Sequence, residues 1–199
     1  MDGLQAVASR RWLWLLIVQF GLLNLVALAP FMVLAPTLLA ALPGGAQAWG
    51  LLLSAIGVGG LGGATAIMRW QLNRTFVAVE MAAAMLAAPL ILLAIGATLP
   101  VLLIGGVAYG AGAAVLNVTI GTVLQREIPK ALLSRVFSIV QIVAGVFAPA
   151  GYALAGPASK WLGPNQALAV GACVVLASAA LMLCLADVRR FGLNQAPIT

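Results

Sequence analysis

Charge is scarce in this sequence: 7% of residues are Asp, Glu, Lys or Arg, against 64% that are hydrophobic. A soluble domain carries about 25% charged residues, so this composition does not cover a water-facing surface. A mean hydropathy of +1.15 points the same way. Lipid asks for what the chain offers, apolar surface over a backbone whose hydrogen bonds are satisfied internally. The alternation of polar and apolar residues that a closed barrel needs is missing, which leaves helices.

Histidine is absent. That removes Ser-His dyads, His-ligated metal sites and imidazole proton shuttles. The acids are Asp2, Glu80, Glu127 and Asp187, no two of which pair in one membrane layer, so the carboxylate dyad of an intramembrane aspartyl protease is excluded. No Gly-x-x-x-x-Gly-Lys loop is present to cradle a nucleotide, and the chain is not expected to hydrolyse ATP. No enzyme activity, metal or cofactor is therefore expected. Cys173 and Cys184 stand 11 positions apart. On one helix that is about 16 Å, too far for a disulfide, and they read as small apolar filler. The triplets Asn73-Arg74-Thr75 and Asn117-Val118-Thr119 fall on the cytoplasmic side and inside a span, so neither reads as a glycosylation site.

What is present is a set of long charge-free runs. Between Arg11 and Arg69 lie 57 uncharged residues. As one helix they would reach about 85 Å, against a hydrocarbon core of about 30 Å. The run must fold back once, at Pro43-Gly44-Gly45. Residues 81–125 again hold two spans, with a turn near Gly96 to Pro100, and 136–159 and 161–186 hold one each. The expected fold is an all-α membrane protein of six transmembrane helices, near 12–40, 48–69, 76–97, 100–126, 133–160 and 164–187. The first, bent at Pro30 or Pro36, is too long for a signal-peptide core of about 7–15 apolar residues.

Parity fixes the sides. Arg10-Arg11, Arg69-Arg74, Arg126-Lys130-Arg135 and Arg189-Arg190 share one face, leaving only Lys160 on the other. The positive-inside rule makes the nine-cation face cytoplasmic, with both termini there, in the plasma (inner) membrane. The net charge of +6 comes from these helix ends and makes no continuous nucleic-acid patch. Residues 1–9 are too short to fold alone, 12–187 read as the bundle and 188–199 as a short tail.

Small residues crowd two helices, and Gly59/Gly63 and Gly106/Gly110 have the spacing that lets membrane helices approach closely. Such a stripe serves static packing or the sliding of helices in a transport cycle, as Pro149 and Pro157 serve a fixed or a moving kink. Asn117 shares a helical face with Gly110, Ala113 and Gly121, where an amide lines a cavity or clamps a neighbouring helix. Asn24 and Gln141 are further substrate-path candidates. Gln19, five positions before Asn24, is expected on a different face. Glu80 has two readings: a residue that reaches the interface or pairs with Arg69 or Arg74, or a proton or cation coupling site.

The stretch from Asn117 through Gln125-Arg126-Glu127-Ile128-Pro129 to Ser134-Arg135-Val136-Phe137-Ser138 resembles the loop between helices ten and eleven of major facilitator superfamily exporters. It is most similar to the branch with macrolide-efflux and enterobactin-exporter-type proteins. There the tenth helix ends in Gln, Pro opens the loop and Gly-Arg-Val-x-Ser starts the eleventh; here Ser134 replaces that Gly. Gly145-x-x-x-Pro149-x-Gly151, Leu154-Ala155-Gly156-Pro157 and Leu162-Gly163-Pro164 fit the same branch, and Asp2-Gly3-Leu4 through Arg10-Arg11 resembles the end of the family's central linker.

The resemblance implies that the six helices correspond to helices seven to twelve, with Asn24 and Asn117 facing the central cavity. It makes Arg69, Arg74, Gln125, Arg126, Pro129 and Arg135 cytoplasmic loop and gating candidates, although the Asp-Arg-x-Gly signature is not kept at 69–74. The implied function is secondary transport, export of a drug or siderophore-like small molecule by one half of an alternating-access carrier. The other half is a separate chain or a second copy. The alternative is a truncated or degenerate fragment, a mis-assigned start, or a membrane interaction partner that transports nothing alone.

Overall fold

The computed structural model describes residues 11–41, 44–69 and 75–184. Most of the linker expected at 1–11, together with Pro43, Arg74 and the tail expected at 188–199, falls outside the described residues. The protein is an all-α, multi-pass membrane protein. Six helices are long and apolar enough to cross a bilayer: Trp12–Ala40, Gly45–Arg69, Val77–Ala94, Leu99–Glu127, Lys130–Leu162 and Pro164–Cys184. Their boundaries match the charge-free runs to within a few residues. The reversals sit where backbone chemistry allows them. Gly44, Gly96 and Gly163 adopt φ of 72°, 67° and 84°, and Pro100 and Pro164 each stand within the first two positions of the helix that follows.

Two spans are broken internally. In the first, a π-helical segment Asn24–Leu28 separates Arg11–Leu23 from Ala29–Ala40, and the Ala29 N–H reaches back five residues to the Asn24 carbonyl. Pro30 explains the break. It has no N–H to offer the Val26 carbonyl, and its ring would strike that oxygen in a regular α-helix. Pro36, the other expected bend, is absorbed within Ala29–Ala40. The third span is divided into Thr75–Met85 and Ala88–Ala94, with Pro89 in the first turn of the second piece. Pro149 and Pro157, in contrast, lie within the continuous helix Lys130–Leu162.

Packing follows the glycines. The second and fourth spans run parallel and share the most extensive contact in the bundle. A methyl group at Gly59 would strike the Val107 backbone, one at Gly63 that of Ala111, and one at Gly110 that of Ile56. The backbones touch directly, as the four-residue spacing requires. The first and fifth spans form a matching parallel pair, with Gly21 against Val143 and Gly151 against Leu25. Gly171 brings the sixth span onto the Val26 carbonyl of the π-helical segment.

Exchanging spans one to three with four to six keeps the main pairings, apart from fifth-on-sixth, which has no comparable counterpart between the second and third among the described residues. Second-on-fourth maps to fifth-on-first, third-on-fourth maps to sixth-on-first, and third-on-sixth maps to itself. Since each triplet has an odd number of spans, the two run in opposite directions through the layer, the signature of an inverted repeat. The outer surface is apolar: Val58, Leu61, Ile104, Ile142 and Leu181 are all more than 60% exposed, as a lipid-facing surface requires. Cys173 and Cys184 are on that surface as free thiols, so they face outward rather than filling the core.

Candidate functional site

Two apolar clusters divide the interior. One, around Phe31, Leu52, Leu90 and Leu168, fills the half away from the basic end. The other, around Trp12, Leu13, Leu124 and Val136, fills the half nearest it. Between them lies a layer of polar groups and a cavity of about 210 Å³. Its walls come from the first, third, fourth and fifth spans, and they carry Gln19, Asn24, Tyr109, Asn117 and Gln141 among leucines, isoleucines, valines and alanines.

All three substrate-path candidates from the sequence meet here. Asn117 is exposed and donates its side-chain N–H to the Ala113 carbonyl of its own helix at 2.8 Å. It clamps no neighbouring helix; it lines the cavity with Ala113 and Gly121, while Gly110 turns to the second span. Gln141 reaches the same space from the fifth span and is also exposed. Asn24 is buried, and its amide donates to the Phe20 carbonyl at 2.8 Å. Gln19 and Asn24, expected on different faces, both line the cavity, because its wall extends around the first helix from Leu13 to Leu28.

Glu80 has a partner that its sequence neighbourhood did not suggest. Its side chain is fully buried, and its Oε2 accepts a 2.7 Å hydrogen bond from the Gln19 amide, 61 positions away in sequence. Arg69 is exposed at the end of the second span, and Arg74 is outside the described residues. The carboxyl is enclosed by the bundle and does not snorkel toward the interface, because Gln19 projects onto it from the adjacent helix. The other carboxyl oxygen, Oε1, has no hydrogen-bond partner among the described residues, and neither has the buried hydroxyl of Thr119.

Tyr109 is the cavity-lining residue that sequence reasoning missed. Its ring stacks on Phe31 at 5.4 Å and 27°, and Phe31 in turn contacts Trp49 at 5.9 Å. This aromatic column joins the second, first and fourth spans at the cavity wall. A signal was available, since Tyr109 is the only aromatic residue of its span and lies four and eight positions before Ala113 and Asn117. Gln125, Arg126, Pro129 and Arg135 share one corner, where the fourth span passes into the fifth, and Arg69 is at the same end of the bundle. No group of His, Cys, Asp or Glu side chains able to hold a metal occurs among the described residues.

The arrangement can admit a small, mostly apolar molecule and orient it by a few amides and a phenol. A site of this kind, apolar with a small number of convergent polar groups, is built for binding. No family model, curated protein or solved structure matches the chain.

Proposed function

We propose that the chain is one half of an alternating-access secondary carrier that exports a small molecule across the plasma membrane, with both termini on the cytoplasmic side. The observation that carries this reading is the cavity. It lies at the meeting of the two inverted triplets, is lined by Asn24, Asn117 and Gln141, and presents Asn117 and Gln141 as exposed amides. An enclosed structural core has no use for exposed amides at mid-span, whereas a substrate path does.

The second and fifth spans have the smallest buried share of the six. The second packs mainly on the fourth and less on the first, and the fifth packs on the first and the sixth, so much of each faces outward. A second six-helix half, a separate chain or a second copy, closes the path against this side, and rocking of the halves alternates access. The basic corner at Gln125, Arg126, Pro129 and Arg135, together with Arg69, then marks the cytoplasmic gate. The resemblance around 117–138 to major facilitator exporters supports the same assignment, and the role is transport without catalysis.

Co-purification followed by an efflux panel tests the proposal. The tagged chain is expected to bring down a six-helix partner or a second copy of itself. Cells carrying the assembled carrier are expected to tolerate at least one lipophilic toxic compound better than cells lacking it. A chain that stays monomeric and still transports contradicts the half-carrier reading.

A further inference from the structure

Glu80 is a carboxyl buried inside a membrane bundle, with a neutral amide on one oxygen and, among the described residues, no hydrogen-bond partner on the other. The first, fourth and sixth spans pack on the span that carries it. From Trp12 to Ala40 the first has no charged residue. On the fourth, the ionisable groups are Tyr109, engaged with Phe31, and Arg126 and Glu127 at the far end. The sixth has the two outward-facing thiols of Cys173 and Cys184. None of these groups pairs with Glu80.

A bare carboxylate in such a place costs several kcal/mol. A hard cation would ask for about six oxygen ligands, and this site offers one carboxylate and one amide between the apolar side chains of Val79 and Ala83. A proton on Oε1 removes the charge with a single atom. The route for it runs past Gln19, which holds the carboxyl and lines the cavity; Val79 and Ala83 of the same helix line it too, while Glu80 itself lies one layer behind.

We propose that Glu80 and Gln19 form a proton-binding site that loads and unloads through the cavity, and that it is the coupling site of the carrier. Only that coupling role rests on the half-carrier reading. In loading, a hydronium ion in the cavity gives its proton to Oε1; an O–H bond forms on the carboxyl and a water molecule remains. In unloading, that O–H bond breaks and water carries the proton away. Gln19 is the positioning residue, holding Oε2 so that Oε1 is the oxygen that exchanges.

Dicyclohexylcarbodiimide, which attacks protonated carboxyls in apolar surroundings, tests this on the chain alone, with adducts mapped by mass spectrometry. The expected result is an adduct at Glu80 that diminishes as pH rises and is lost in Glu80→Gln. Gln19→Leu is expected to change the pH at which labelling disappears, while Leu181→Ala on the outer surface leaves it in place. In a Cys173→Ala/Cys184→Ala background, a bulky maleimide attached at Ala113→Cys fills the cavity. Labelling is then expected to lag behind a jump in bulk pH.

Labelling that is absent at every pH, or identical at all of them, overturns the site. Labelling that tracks the jump despite the filled cavity overturns the route. An intact labelling pattern in a chain that never assembles into a transporter counts against the half-carrier reading and leaves the proton site standing.

Discussion

Adding one methyl group to Gly110 tests whether the second and fourth spans are held by direct backbone contact. A β-carbon there would overlap the Ile56 carbonyl oxygen and sit 2.8 Å from the Gly60 nitrogen, well inside the 3.4 Å at which ordinary contact begins. Both obstacles are backbone, so no side chain can swing aside and the helices must separate. A gap of about 0.5–1 Å forfeits a quarter to a half of the dispersion energy of the pairs facing it. Overpacking of this kind costs about 1–3 kcal/mol, and the extent of this interface puts Gly110→Ala toward the upper end. The control is in the same helix. Gly121 has nothing within 4 Å of its β-carbon position. Alanine there relieves the helix-propensity penalty of glycine and stabilises by up to about 1 kcal/mol. SDS-titrated unfolding followed by circular dichroism should therefore move the two variants in opposite directions from the parent chain. Equal stability of Gly110→Ala and Gly121→Ala would refute backbone contact as the source of the pairing.

Three further outcomes are expected. Glu80→Ala leaves the buried Gln19 amide without its acceptor and should destabilise the fold by about 1–3 kcal/mol, measured by the same titration, whereas Glu80→Gln keeps an acceptor in place and should lose much less. Asn117→Ala removes an exposed amide bonded only within its own helix, so stability should stay within about 0.5 kcal/mol while export by the assembled carrier falls; unchanged export removes Asn117 from the path. Reporter fusions at residues 45 and 130 should report opposite compartments, with the residue-130 fusion cytoplasmic, and a shared compartment would break the six-span topology.

Much of the fold was legible because the relevant physics runs along the chain. The first reversal shows in Pro43-Gly44-Gly45 because an apolar helix of 57 residues cannot fit the layer. Gly59/Gly63 and Gly106/Gly110 announced a close approach because four-residue spacing puts both members of a pair on one face, and the structure sets Gly59, Gly63 and Gly110 against the backbone of the opposite helix and Gly106 against the Leu52 side chain. The candidate site was legible only in part. Asn24, Asn117 and Gln141 stood out as polar residues in apolar spans. That they line one cavity, with Tyr109 and Gln19, depends on how four separate spans are rotated against one another.

The sequence by itself determined the solvent, the number of spans, and which glycines could support close helix contact. Each of these follows from composition, run length or local spacing, and none needs two distant residues to meet. Only the tertiary structure decided that Glu80 faces Gln19, that the first helix widens into a π-helical turn under the sixth, and that the polar layer lies between two apolar clusters. The reason is that a buried polar group takes whatever partner helix packing brings within reach. Packing over a separation of 61 residues is set by the shapes of every span between, which no local pattern records.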